Sequence, residues 1–246
     1  MRAPANALSF KRRLLRWFRH HARPLPWRGT RDPYAVLVSE FMLQQTQVSR
    51  VLDFYPRFLD RFPTLERLAR ARPRAVREAW EGLGYYRRAA NLHALAHTVV
   101  TDHGGAIPQH PDDLRRLPGV GRYTAGAVAA FAFERRVPAV DTNVARVLRR
   151  VFRLDRSSGR GGTGGRGGRR AAQKGERGSD GEQRVWALAE RLLPKSRRAA
   201  WEFNQALMDL GATICVARRP KCPTCPVRVA CLTGNGKGER GKGTSV

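Results

Sequence analysis

The fold class expected from the sequence is all-α, on three observations. Pro33, Pro73 and Pro111 each stand where the first turn of a helix would lie. Gly82 and Gly104 stand where helical patterns end. No stretch of alternating β-branched residues interrupts the series.

The elements follow in order. A basic amphipathic helix opens the chain with Leu14, Leu15 and Phe18 on one side, until Pro24 and Pro26 interrupt it. Short helices are then expected over 33–44, 47–61, 64–71, 73–81, 86–103, 111–116 and 122–133. A further helix begins after Asp141, with Val144, Val147, Leu148 and Val151 on one face. Residues 156–181 hold ten glycines, seven basic and two acidic residues, which reads as a flexible, solvated insert. Helices resume near 182–193 and 199–211, before a cysteine segment and a Gly/Lys tail.

The chain's 246 residues suffice for one large domain or two small lobes. Lys and Arg total 47 against 20 Asp and Glu, a formal charge of +27 that attracts polyanions, nucleic acid first among them. A membrane surface is the competing partner. Yet the longest nearly apolar run, Ala125 to Phe133, is too short to span a bilayer. The first residues, with Lys11, Arg12 and Arg13, show no apolar signal region, so a cytoplasmic, nucleoid-associated protein is expected.

Cys215, Cys222, Cys225 and Cys231 fall within 17 residues. Disulfide staples would be spread along the chain, so this spacing reads as one metal centre, open between zinc and an iron–sulfur cluster. Leu117-Pro118-Gly119-Val120-Gly121 lies between two helical patterns and suits a tight hairpin whose amides can hold a DNA phosphate. Glu40 sits in an almost wholly apolar helical run, Val36 to Leu43. Burial there would raise its pKa and keep it protonated, as a general acid requires. The structural alternative is a buried glutamate paired to an arginine. Asp141, where a helix begins, reads as an N-cap.

Together these stretches resemble the helix–hairpin–helix glycosylase superfamily. Leu117 to Ala127 carries the hairpin, Val140-Asp141-Thr142-Asn143-Val144 looks like its aspartate segment, and the cysteine spacing is similar to that of the iron–sulfur branch. More narrowly, Leu25-Pro26-Trp27-Arg28, Ser39 to Val48 and Gly82-Leu83-Gly84-Tyr85-Tyr86 look like the adenine glycosylase (MutY-type) subfamily. The likeness runs from about residue 8 to 232, apart from the insert.

The resemblance implies a DNA glycosylase that hydrolyses adenine from mispairs with 8-oxoguanine or guanine and leaves an abasic site. It implies that Glu40 protonates the purine and then activates water. Asp141 would stabilise the charge that develops on the sugar. Tyr123 stands where strand-cleaving relatives place a lysine, and a phenol cannot form a Schiff base. Gly119, Val120 and Gly121 would grip the backbone. Gln45 and Tyr85 would form the wedge near the orphaned base, and Trp27, Arg28 and Gln205 the adenine pocket. Core packing remains open for Trp27 and Tyr85, and Gln205 lies off the centre of the buried stripe of its helix, free for a cleft or for solvent. The four cysteines would hold a [4Fe–4S] cluster with a structural, DNA-positioning role beside Arg218, Arg219, Lys221 and Arg228.

The expected architecture is two helical lobes with the active cleft between them. A barrel domain spans 30–135. The N-terminal helix, 1–29, joins a cluster lobe, 136–232, and 233–246 forms a disordered tail. A monomer acting on duplex DNA, needing only water, is expected. The likeness stops near Leu232, which implies a weaker preference for 8-oxoguanine than in longer subfamily members. Two rivals stand beside this reading: a T·G mismatch thymine glycosylase, and a noncatalytic DNA-binding protein whose cluster senses redox state.

Overall fold

The computed structural model describes residues 4–154 and 172–234. All described elements are helical, and the chain divides into two compact units. One is the unbroken segment Arg23–Ala139. The other joins Met1–Ala22 to Val140–Val246.

The unbroken unit contains α2 (Pro33–Leu43), α3 (Val48–Arg61), α4 (Leu65–Ala69), α5 (Pro73–Ala79), α6 (Arg87–Asp102), α7 (Pro111–Leu114) and α8 (Arg122–Phe131). Helix α2 starts where Asp32 accepts the amides of Tyr34 at 3.0 Å and Ala35 at 3.3 Å, with Pro33 in the first turn. Every residue from Tyr34 to Met42 is buried, so α2 is the axis about which α3, α6 and α8 pack. Helix α8 is buried from Thr124 to Phe131, and Gly126 explains how it lies so close to the chain that follows. A Cβ there would meet the Pro138 carbonyl oxygen at 2.4 Å. Beneath α5, Phe58 packs edge-on to Trp80 at 5.7 Å between ring centres.

The second unit holds α1 (Ala7–His21), α9 (Thr142–Phe152), α10 (Ala172–Leu192) and α11 (Arg197–Thr213). Phe10 of α1 sits edge-on to Phe152 of α9 and Phe203 of α11, at 5.3 and 6.2 Å. Leu14 and Phe18 extend that face, each contributing about 1.5–3 kcal/mol on burial. Asn6 donates to the Ala230 carbonyl at 2.6 Å, joining residues 224 positions apart. After α11 the cysteine segment runs through two single 3₁₀ turns, Cys222–Thr224 and Arg228–Ala230.

Helix α10 departs from the sequence reading, which starts this helix near 182 and leaves 172–181 to the insert. It begins at Ala172. The buried Val185, Trp186, Leu188, Ala189 and Leu192 anchor its C-terminal half, and adding turns to an existing helix costs far less than nucleating one. The rest of the insert, 156–171, with Asp155 before it, and residues 235–246 of the tail lie outside the described residues.

Candidate active-site residues and cysteine centre

Glu40 lies on α2 with only 4% of its surface exposed. That position follows from its neighbours, because a helix buried along its whole length carries its one carboxylate inward with it. Trp27, in the 3₁₀ turn Pro26–Arg28, is 8% exposed and packs edge-on to Tyr55 at 5.4 Å. Arg28 beside it donates to the Arg23 carbonyl at 3.1 Å. Burial, and then the nearby Asp32 carboxylate, push the Tyr55 hydroxyl up to about 12.

The chain leaves α2 through Gln44 and Gln45, and Gln45 is exposed with φ 56°. Tyr85, 62% exposed, has φ 47°. Left-handed backbone at a residue with a side chain costs about 1–3 kcal/mol, so something must hold both. Arg88, 7% exposed, lies against both turns. Its Nη1 points at the carbonyls of Phe41 (3.1 Å), Met42 (2.7 Å) and Gln44, and its Nη2 at those of Leu83 and Gly84, both 3.1 Å. Phe41 and Met42 lie in the last turn of α2, where carbonyls lack helical donors, and the guanidinium supplies them at the negative end of the helix.

The hairpin forms as its glycines predict. Gly119 has φ +75°, and a Cβ there would meet Asn91 Cβ at 2.7 Å. Val120 donates its amide to Leu117 at 3.2 Å and buries its side chain at 7% exposure, so it anchors the turn from inside. Gly121 caps α8 without a side chain, and Tyr123 follows, half-buried in the first turn.

In the other unit Asp141 is the N-cap of α9. Its Oδ1 accepts the Val144 amide at 2.7 Å, and its Oδ2 accepts from Asn143 Nδ2 at 2.8 Å. The chain of bonds continues. Arg146 donates to Asn143 Oδ1 and the Gly211 carbonyl, both at 2.8 Å, and to the Cys215 carbonyl at 2.9 Å. Arg150, one turn on, donates to the carbonyls of Val216 (2.7 Å) and Ala217 (2.9 Å) and reaches Cys215 Sγ at 3.5 Å. The aspartate cap and the first cysteine are thereby tied through one face of α9.

Of the two places open to Gln205, a cleft or solvent, only solvent is excluded. It is 5% exposed, because α11 buries an unbroken run from Phe203 to Leu207 rather than a single stripe. Asn204 and Asp209, which the sequence analysis passed over, are buried there too.

Cys215, Cys222, Cys225 and Cys231 line one cavity of about 240 Å³, shared with Val151, Leu210, Ile214 and Val227. Burial first, and then the neighbouring cysteines, raise the Cys225 thiol to about 11. The Gly234 amide donates to Cys231 Sγ at 3.3 Å. Among the described residues, no three His, Cys, Asp or Glu side chains converge as ligands of a single metal ion. No described helix is long and apolar enough to cross a membrane.

Residues 38–162 match the HhH-GPD superfamily base excision DNA repair protein family. The adenine DNA glycosylase of Rattus norvegicus is 42% identical over 236 residues, 92% of this chain and 42% of its own length. That of Mycobacterium tuberculosis (strain H37Rv) is 44% identical over 215 residues, 87% of this chain and 64% of its own. The chain thus spans less than two thirds of these relatives. The solved structure of a thermostable thymine-DNA glycosylase superposes with a TM-score of 0.78 at 29% identity, covering 94% of this chain and 97% of that one.

Proposed function

The chain belongs to the HhH-GPD superfamily of base excision DNA repair proteins, and we propose on that premise that it is a monofunctional glycosylase releasing mispaired adenine. The observation that carries the reading is Glu40, a carboxyl group buried on the central helix of a strongly basic chain. Likeness to two adenine DNA glycosylases over 87–92% of the chain supports the choice of base.

In this reading the Glu40 carboxyl gives its proton to the purine ring. The C1′–N bond breaks and its electron pair leaves with adenine. The Asp141 carboxylate stabilises the positive charge left on the sugar, worth on the order of 3 kcal/mol for such a group. Water then adds to C1′ while the Glu40 carboxylate takes its proton, so the products are adenine and an abasic sugar. Tyr123 offers no amine, and the strand stays intact. Gln45 and Tyr85 fill the space the flipped base vacates, Trp27, Arg28 and Gln205 are each assigned to contact with the base, and the Gly119–Gly121 hairpin holds a phosphate.

The four cysteines fit a [4Fe–4S] cluster. A zinc ion draws four sulfurs to within about 2.3 Å of one point. Here the four border a space of about 240 Å³, and N–H donors from Gly234 and Arg150 face two of the sulfurs. Cys215, Cys222, Cys225 and Cys231 would hold the cluster, which would cross-link the segment that carries Arg218, Arg219, Lys221 and Arg228 for DNA phosphates.

The superposition on a thymine-DNA glycosylase favours thymine as the second reading. Duplexes carrying A opposite 8-oxoguanine, A·G, A·C and T·G decide between them, assayed with and without alkali. Release of adenine alone, with breakage only after alkali, is the expected result, and Glu40→Gln binds the A·G duplex without releasing base. Release of thymine from T·G with adenine untouched overturns the proposal.

A further inference from the structure

We propose that Arg88 is a positioning residue for the wedge, holding Gln45 and Tyr85 in their left-handed conformations so that both side chains enter the duplex from one rigid base. The inference rests on the glycosylase reading above and adds a residue which that reading does not use.

Two exposed side chains, Gln45 and Tyr85, leave the backbone at strained positions forty residues apart. The residues immediately before them, Gln44 and Gly84, both offer their carbonyls to the same guanidinium. Arg88 also lies under the Tyr85 ring, 5.4 Å from its centre, and over the Trp80 ring at 5.5 Å. Trp80 adds its indole N–H to the Gly84 carbonyl at 3.2 Å. The turn before Tyr85 is thus gripped from two sides. Its partner turn is joined through Phe41 and Met42 to the helix that carries Glu40. A flat group whose two terminal nitrogens carry four N–H can reach five carbonyls, with one N–H shared, while its faces meet two aromatic rings. A lysine ammonium, with three donors on a flexible stem, cannot.

A wedge matters only where an orphaned base must be kept from reclaiming its partner. Single-turnover excision is therefore measured on two duplexes, adenine opposite guanine and adenine opposite a tetrahydrofuran abasic analogue. Arg88→Lys is expected to slow the first by about ten- to a hundredfold, the scale for a misplaced positioning group, and the second much less. Trp80→Phe, which keeps the guanidinium and deletes the indole donor, is expected to show the same selectivity more weakly, and it decides the matter should Arg88→Lys not fold. Equal losses on both duplexes, or no loss on either, would overturn the assignment. A wild-type protein that releases adenine from neither duplex refutes the excision reading, and this inference with it.

Discussion

Gly211 of α11 and Asn143 of α9 meet so closely that a Cβ on the glycine would lie 2.8 Å from the asparagine Cβ and 3.1 Å from its carbonyl oxygen. Asn143 in turn holds Asp141 Oδ2. A helix crossing in the core thereby fixes the orientation of one carboxylate.

Gly211→Ala tests this relationship. A Gly-to-Ala change inside a helix normally gains about 1 kcal/mol. Here the methyl group must displace main chain, so melting temperature is expected to fall. Base excision is expected to fall further than the lost stability explains, because Asn143 moves with its helix. Thermal melts beside single-turnover rates check the claim. A fully active, more stable variant would show that α9 yields freely.

Asp141→Asn separates the aspartate's two roles. The amide oxygen can still accept the Val144 amide, so stability is expected to stay within about 1 kcal/mol of wild type. The negative charge is gone, and excision is expected to drop by about a hundredfold or more. Loss of helicity instead of activity would leave Asp141 as a cap alone.

The cysteine centre makes a chemical prediction. Protein purified without chelators is expected to be yellow-brown, with about four irons per chain. Cys225→Ser is expected to lose iron and to lower the melting temperature, since Cys225 packs against the core beside Val227. An active, colourless protein holding one zinc would overturn the cluster assignment.

Alkaline stability follows from Tyr55. Its hydroxyl titrates at about 12 in the fold, raised by burial and then by Asp32, against 10.0 ordinarily. A raised pKa means that the folded state holds the proton more tightly. The contribution is complete below the unfolded value and vanishes as pH rises through the folded one. Melting temperature is therefore expected to decline between those two values, and Tyr55→Phe to decline less steeply. Identical pH profiles would exclude Tyr55 as a cause.

Much of the helical layout is legible in the sequence, because Pro33, Pro73 and Pro111 do begin helices and the apolar run around Glu40 does become a buried axis. Two arginines escape such a reading. Arg88 and Arg146 look like surface charge in a chain with 47 basic residues, and their partners are carbonyls up to 69 positions away that no local pattern marks. The solvent alternative for Gln205 stays open in the sequence for a related reason. Periodicity separates inside from outside only on a helix with a wet face, and α11 is buried across five consecutive residues. The start of α10 is missed because glycine content argues against a helix that its own buried half can extend.

The bond from Asn6 to Ala230 bears on how the molecule is made. The segment Arg23–Ala139 is a compact unit built from one unbroken stretch of chain, so its contacts are all available once that stretch is made. Helix α1 is made before that segment, yet its partners Phe152 and Phe203 are translated more than a hundred residues later. Until then its apolar face, Phe10, Leu14 and Phe18, is exposed to chaperones and to other nascent chains. Closing so long a loop is slow, so helix α1 waits for α9 and α11 before its apolar face is covered.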